Sequence, residues 1–116
     1  MYVKKAWEGE HLVYCGNDCY EPVREDVTYG LVVQHIIALN PTEPHSHPDV
    51  EQVYYIRSGQ GVVLVDGEEQ EVGPDSVVFI PAGAVHAIRP LPGEQNLIYI
   101  SIAHHHEISS KDRSSL

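Results

Sequence analysis

The chain has 116 residues, enough for one hydrophobic core and too few for two, because folding at this length buries about two-thirds of the surface that the unfolded chain exposes. Its 17 acidic and 7 basic residues give a formal net charge of -10, which repels phosphate backbones and anionic headgroups, so neither nucleic acid nor a membrane surface is an expected partner. No run reaches the ~18 to 20 apolar residues of a membrane span, and "MYVKKAWEGEHL" lacks the apolar stretch of a signal peptide; a cytoplasmic location is expected.

Residues 1–28 read as an edge strand with loops that cover the rest or exchange with a partner chain. They hold both cysteines, Cys15 and Cys19 in "CGNDC". That spacing is neither a redox CxxC nor half of a four-cysteine zinc site, and reduced, partly buried thiols are expected. From residue 29 onward almost everything reads as strand: "YGLVVQHIIALNP" (29–41), "QVYYIRSGQG" (52–61), "GVVLVDGEEQEVG" (61–73), "SVVFIPAG" (76–83), "AVHAIRP" (84–90) and "NLIYISIA" (96–103). These segments are short, rich in Val, Ile and Tyr, and separated by Gly, Pro or Asp turns. Asp66-Gly67 is a tight-hairpin signal, because a primed two-residue turn needs positive φ at both positions. Strands at this spacing predict an all-β sandwich or barrel, and in so short a chain one small jelly-roll-like barrel over residues 29–103. Residues 104–116 read as a polar tail that frays. His104, His105 and His106 fall after the last predicted strand and read as an exposed polar run, with a loose metal-binding tract as the alternative.

The histidines carry the chemistry. In "EPHSHPDVEQVYYIRSG", His45 and His47 are two residues apart, so on extended backbone their imidazoles lie side by side. Two neighbouring imidazoles are half of a metal site; alone they are more commonly solvated loop residues. "FIPAGAVHAIRP" then supplies His86 on another predicted strand, just past a Pro-x-Gly turn.

With these residues the chain resembles a small single-domain cupin. That family's motifs have the forms G-x5-HxH-x3or4-E-x6-G and G-x5-P-x-G-x2-H-x3-N; here "HSHPDVEQVYYIRSG" carries His45, His47 and Gly59, and "PAGAVH" carries Pro81, Gly83 and His86. The resemblance covers residues 30 to 103. It implies a double-stranded β-helix (jelly-roll) barrel that binds one divalent transition metal (zinc, nickel, iron, manganese or copper) through the motif residues, and it implies a homodimer.

The chain also departs from the family pattern. A six-residue spacing back from Gly59 puts Gln52 where the family carboxylate usually sits, while a three-residue spacing after His47 points to Glu51. A strand alternates faces, so only one of the two faces inward. Arg57 shares Glu51's face, and an unpaired guanidinium inside a narrow barrel is costly; Gln52 inward is therefore preferred. Asp75 replaces the second motif's first glycine, a change the left-handed conformation tolerates, and Pro90 replaces its last asparagine. Arg89 alternates away from His86 and reads as solvated.

The resulting ligand set is His45, His47, Gln52 and His86. Three neutral imidazoles and a neutral amide leave a divalent charge uncompensated, which favours Lewis-acid chemistry on a carbonyl or hydroxyl and disfavours a ferric state. Cupins that process unsaturated uronates are similar in using two His, a Gln and a further His, but they add Asp and Arg in the following strand. "NLIYISIA" offers Asn96, Tyr99 and Ser101 instead. Two further residues are candidates for catalysis. His35 would be a general base, although a lone His in an apolar strand is more often a hydrogen-bonded core residue; Tyr54 would donate its phenol to a substrate oxygen or simply fill the barrel. The expectation is a metal-dependent isomerase or lyase acting on a small sugar acid or hydroxy-carbonyl compound. The alternatives are a metal-dependent dioxygenase, a non-catalytic binder of a metal or small molecule, and a structural dimer with vestigial histidines.

Overall fold

The computed structural model describes residues 1–24 and 30–105. After a short 3-10 helix at Ala6–Glu8, nine strands follow in chain order: β1 Glu10–Tyr14, β2 Asn17–Val23, β3 Leu31–Ala38, β4 Val50–Ser58, β5 Gly61–Val65, β6 Glu68–Val72, β7 Val77–Ile80, β8 His86–Pro90 and β9 Leu97–His105. They form a six-stranded sheet ordered β1-β2-β3-β9-β4-β7 and a three-stranded sheet ordered β6-β5-β8. Every pairing is antiparallel. The two sheets face each other as a jelly roll, as the residue pattern predicts. Among the described residues no helix is long and apolar enough to cross a membrane.

Two primed turns close the hairpins. Asp66 and Gly67 have φ of 45 and 83° and set Val65 opposite Glu68, as the Asp-Gly pair requires. Cys15 and Gly16, at 52 and 73°, do the same between Tyr14 and Asn17. This second hairpin makes β2 an integral strand beside β3, so the first 28 residues contribute more to the sheet than one edge strand and loops. Asp75 adopts the left-handed conformation that its motif position demands, with φ of 70°, and the Tyr55 hydroxyl donates to its carboxylate. Gly59 is needed twice over: its φ is 75°, and a Cβ there would lie 2.5 Å from the Asn96 carbonyl oxygen.

The core fills the space between the sheets with Ile56, Ile80, Ile88 and Leu97, each no more than 1% exposed, and each such side chain contributes ~1.5 to 3 kcal/mol by leaving water. In β4 the alternation is clear. Val50, Tyr54 and Ile56 are buried, while Tyr55 and Arg57 are exposed on the opposite face. Arg57 thus lies outside the barrel, and Gln52 faces in. The last strand runs further than its apolar composition suggests: His104 and His105 belong to β9, paired with Glu51 and Val50, and are not the start of a tail. His106 and the residues after it lie outside the described residues.

Candidate metal centre

Backbone pairing between distant segments assembles the site. The Thr42 hydroxyl accepts from the Ile88 amide at 3.0 Å, and the Thr42 amide donates back to the Ile88 carbonyl at 3.0 Å. This clamps the chain before the HxH pair onto β8. Three residues on, His45 and His86 exchange backbone hydrogen bonds of 3.1 and 2.9 Å, and the Gly83 amide donates to the His47 carbonyl at 2.9 Å. The prolines that flank the pair end regular strand there, so His45 alone extends the three-stranded sheet, by a single bridge to His86. Their side chains and that of His86 then meet, with one ring nitrogen from each within 4.8 Å of the others. The ring centroids of His45 and His86 are 4.3 Å apart, those of His45 and His47 5.0 Å, and those of His47 and His86 5.7 Å.

Two of the three tautomers are set by the backbone. His45 Nδ1 lies 2.7 Å from the Glu43 carbonyl oxygen and His86 Nδ1 lies 2.9 Å from that of Ala84. A carbonyl only accepts, so each Nδ1 carries the proton and each Nε2 presents a lone pair, the arrangement that orients a ligating imidazole. His86 Nε2 is buried without a hydrogen-bond partner, and so is Gln52 Oε1. Buried polar atoms of this kind are normally satisfied; an orphan acceptor within the histidine cluster fits a cation held there. Burial, with His45, His86 and His105 nearby, brings the His47 pKa down to about 4, and burial lowers that of His86. His47 and His86 are therefore neutral and able to donate electron pairs at neutral pH.

His45 and His47 line a cavity of about 510 Å³ between the sheets, together with Gln52, Tyr54, Tyr99 and Ser101. Gln52 is oriented by its amide, which donates to Ser101 Oγ at 3.3 Å. Glu51 faces the other way, 3.7 Å from His104 Nδ1. Tyr54 is 5% exposed, its ring centroid 4.8 Å from that of Tyr99 and 6.5 Å from that of His86. Burial pushes its phenol pKa well up, so the proton stays on the hydroxyl.

His35 is not brought to this group. In β3 it is Gln34 and Ile36 that line the cavity, so His35 points to the outer face. There Trp7 and Tyr20 cover it, with ring centroids at 6.4 and 6.2 Å, and the Arg57 guanidinium donates to its Nε2 at 3.3 Å. It is the hydrogen-bonded core histidine of the bland reading, its pKa lowered by burial and by Arg57. Gln34, Glu21 and Arg24, which no motif singles out, also line the cavity, as does His105 of the histidine run. Alternation from Gln52 through the strand pairs identifies Gln34, but no sequence signal aligns β2 with β3 across its irregular register.

Residues 35–103 match the family model described as "Cupin domain". Several solved structures superpose over nearly the whole chain. A predicted oxalate decarboxylase from Thermotoga maritima is 18% identical and covers 89% of this chain and 98% of its own, with a TM-score of 0.73. KdgF from a Halomonas species is 19% identical, with 86% and 89% covered and a TM-score of 0.72. An RmlC-like cupin from Shewanella frigidimarina is 17% identical, with 97% and 95% covered and a TM-score of 0.75. At these identities the likeness is one of fold. No curated protein matches by sequence.

Proposed function

The chain belongs to the cupin family, and from that premise we propose that it is a metal-dependent enzyme whose chemistry is Lewis-acid isomerisation or elimination on a small, oxygen-rich substrate. One observation carries the reading: three imidazoles cluster with one ring nitrogen each within 4.8 Å of the others, and two of them, His45 and His47, line a cavity of substrate size together with Gln52, whose carbonyl oxygen has no partner. His45, His47, His86 and Gln52 would hold a divalent transition ion, and the ion supplies electrophilic polarisation of a carbonyl or hydroxyl oxygen. An all-neutral donor set leaves that polarising charge intact. The protein's own groups do the rest. Ser101 fixes the amide of Gln52, the Glu43 and Ala84 carbonyls hold the rings of His45 and His86, and Tyr54, which lines the cavity, would donate a hydrogen bond from its phenol to a substrate oxygen.

Elemental analysis of protein purified without chelator tests the first half of the reading. About one equivalent of zinc, nickel, iron, manganese or copper per chain is expected; less than a tenth of an equivalent, with no uptake on adding these ions, refutes it. A screen of hydroxy-carbonyl compounds and sugar acids tests the second half. The proposal includes a homodimer, supported by apolar side chains on the outer face of the six-stranded sheet: Val77 is 66% exposed, Phe79 57% and Ile102 40%.

A further inference from the structure

Strand β1 forms the mouth of the cavity. It is exposed along its whole length, yet Leu12, Val13 and Tyr14 line the cavity together with His45 and His47, so the solvent side of the cavity lies along this strand. The end of β1 is held in place. Tyr14 pairs with Asn17 across the Cys15-Gly16 turn, and Asn17 is 1% exposed. Asn17 Oδ1 accepts from the amides of Leu39 and Asn40 at 2.7 Å each, its Nδ2 donates to the Asn40 carbonyl at 3.0 Å, and the Asn40 side chain donates back to the Gly16 carbonyl at 3.1 Å. This bracket ties the hairpin to the segment that leads into His45. Tyr14 therefore stands at a fixed place beside the histidines, its ring centroid 6.0 Å from that of His45. It is 48% exposed and borders both solvent and cavity.

Behind the mouth, the polar groups of the cavity wall are largely committed to one another. The Thr42 hydroxyl pairs with the Ile88 amide and carbonyl, the Gln34 amide donates to Glu21 at 2.6 Å, and Ser101 Oγ accepts from Gln52. Glu21 and Arg24 pair with each other at 3.5 Å, so their charges cancel. Between these groups the wall is apolar, with Leu12, Val32, Ile36 and Val50, and the rings of Tyr54 and Tyr99 lie 4.8 Å apart. A hydroxylated substrate body gives up its hydrogen bonds to water against such a wall and finds few in return, a loss of about tenfold in affinity for each unpaired hydroxyl. An apolar body gains by leaving water. A planar ring gains further, because contact between aromatic rings adds to the burial of area.

We infer that Tyr14 is the specificity residue at the mouth of this cavity, and that it selects hydroxy-carbonyl compounds whose body is an uncharged aromatic ring over those whose body is a polyol. The inference rests on the metal-dependent reading above and narrows its substrate class to aryl ketols, away from sugar acids.

Calorimetric titration of the metal-loaded protein with three uncharged probes that share a hydroxymethyl-ketone head tests it: α-hydroxyacetophenone, hydroxyacetone and L-erythrulose. The phenyl probe is expected to bind about tenfold more tightly than hydroxyacetone, and erythrulose no more tightly than hydroxyacetone. Tyr14→Ala should reduce the phenyl advantage about fivefold without changing metal content, whereas Tyr14→Phe, which keeps the ring, should preserve it. Tyr14 is half-exposed, so neither variant removes a core side chain. Erythrulose binding as tightly as the phenyl probe, or a phenyl advantage that survives Tyr14→Ala or is lost in Tyr14→Phe, overturns the inference. Metal content and the same titrations after chelation separate the two levels. A loaded protein that binds all three probes equally overturns the Tyr14 assignment alone. A protein that takes up no ion yet keeps the phenyl advantage overturns the metal reading alone, and one that takes up no ion and binds none of the probes overturns both.

Discussion

Gln52 and Ser101 sit on adjacent strands with the Gln52 amide donating to the Ser101 hydroxyl at 3.3 Å, and this contact leaves the Gln52 carbonyl oxygen buried without a partner. An amide has one acceptor oxygen and one donor nitrogen. With the donor committed to Ser101, the acceptor is what the side chain has left for a cation. Gln52→Ala should therefore weaken metal binding by about 10- to 100-fold, as loss of a supporting contact does, while Glu51→Ala, on the opposite face, should leave it unchanged. Competition with a chromogenic chelator measures both. The reverse order would assign the ligand to Glu51.

Gln52→Glu probes the charge of the donor set. The variant should keep its ion and lose turnover, because an anionic donor weakens the pull on a substrate oxygen. For the same reason zinc or nickel should support the reaction as well as iron does, with no oxygen consumed. An oxygen electrode decides: substrate-dependent uptake that disappears when zinc replaces iron would promote the dioxygenase reading instead.

Acid should loosen the metal-free protein through His47. Its native pKa of about 4 lies below the ordinary 6.5, owing to burial first and then to His45, His86 and His105. As pH falls below 6.5 the unfolded chain takes up a proton at this residue that the native state refuses, so stability is present above that pH and is lost progressively down to about 4. His86 and His35, whose pKa values are also lowered, act in the same direction. Melting temperature in EDTA should drop from pH 7 to pH 4.5, and His47→Gln should flatten that dependence. A melting temperature independent of pH across this range would show that the rings are more solvated than their burial implies.

The two cysteines should differ in reactivity. Cys19 is 4% exposed, and burial, with Glu21 adding to it, pushes its thiol up to about 12. Cys15 occupies the hairpin turn and is partly exposed. Since the thiolate is the reactive form, Ellman's reagent at pH 8 should modify Cys15 in the native protein and both thiols in denaturant. Rapid reaction of Cys19 in native protein would mean that the hairpin opens readily.

Phe79→Glu tests the proposed homodimer. A buried interface does not accommodate an unpaired carboxylate, so light scattering coupled to size exclusion should give a dimer mass for the wild type and a monomer mass for the variant. A monomeric wild type would remove the homodimer from the proposal.

The barrel was legible because β4, β5 and β8 are half-buried strands with alternating pattern, joined by turn residues of known conformational demand. The triad was legible because the HxH pair and the histidine after the Pro-x-Gly turn occur together, each weak alone and specific as a pair. Arg57 even resolved the register of β4, since charge outside and amide inside was the cheaper choice. What escaped has physical reasons. Strand β3 reads "LVVQHIIA" and is covered on both faces, on one by the opposite sheet and on the other by Trp7 and Tyr20, so alternation does not show whether Gln34 or His35 points inward. The first hairpin turns on Cys15-Gly16, where the Asn or Asp that marks such turns is missing. His104 and His105 look like tail residues because a polar strand end satisfied by Glu51 pairing and cavity lining has no apolar signature.

The bridge between His45 and His86 has a consequence for how the chain reaches its native state. It joins segments separated by more than 40 positions, with β4 to β7 lying between them, so no local fragment holds all three imidazoles in place. Loop closure and long-range strand pairing must come before the histidine cluster exists, which is the costly, slow kind of contact. Capture of the proposed ion would then be a late event that acts on the folded population and not as a nucleus. Its effect would appear as mass-action stabilisation, about 2.7 kcal/mol at a free ion concentration 100 times the dissociation constant, expressed mainly in slower unfolding.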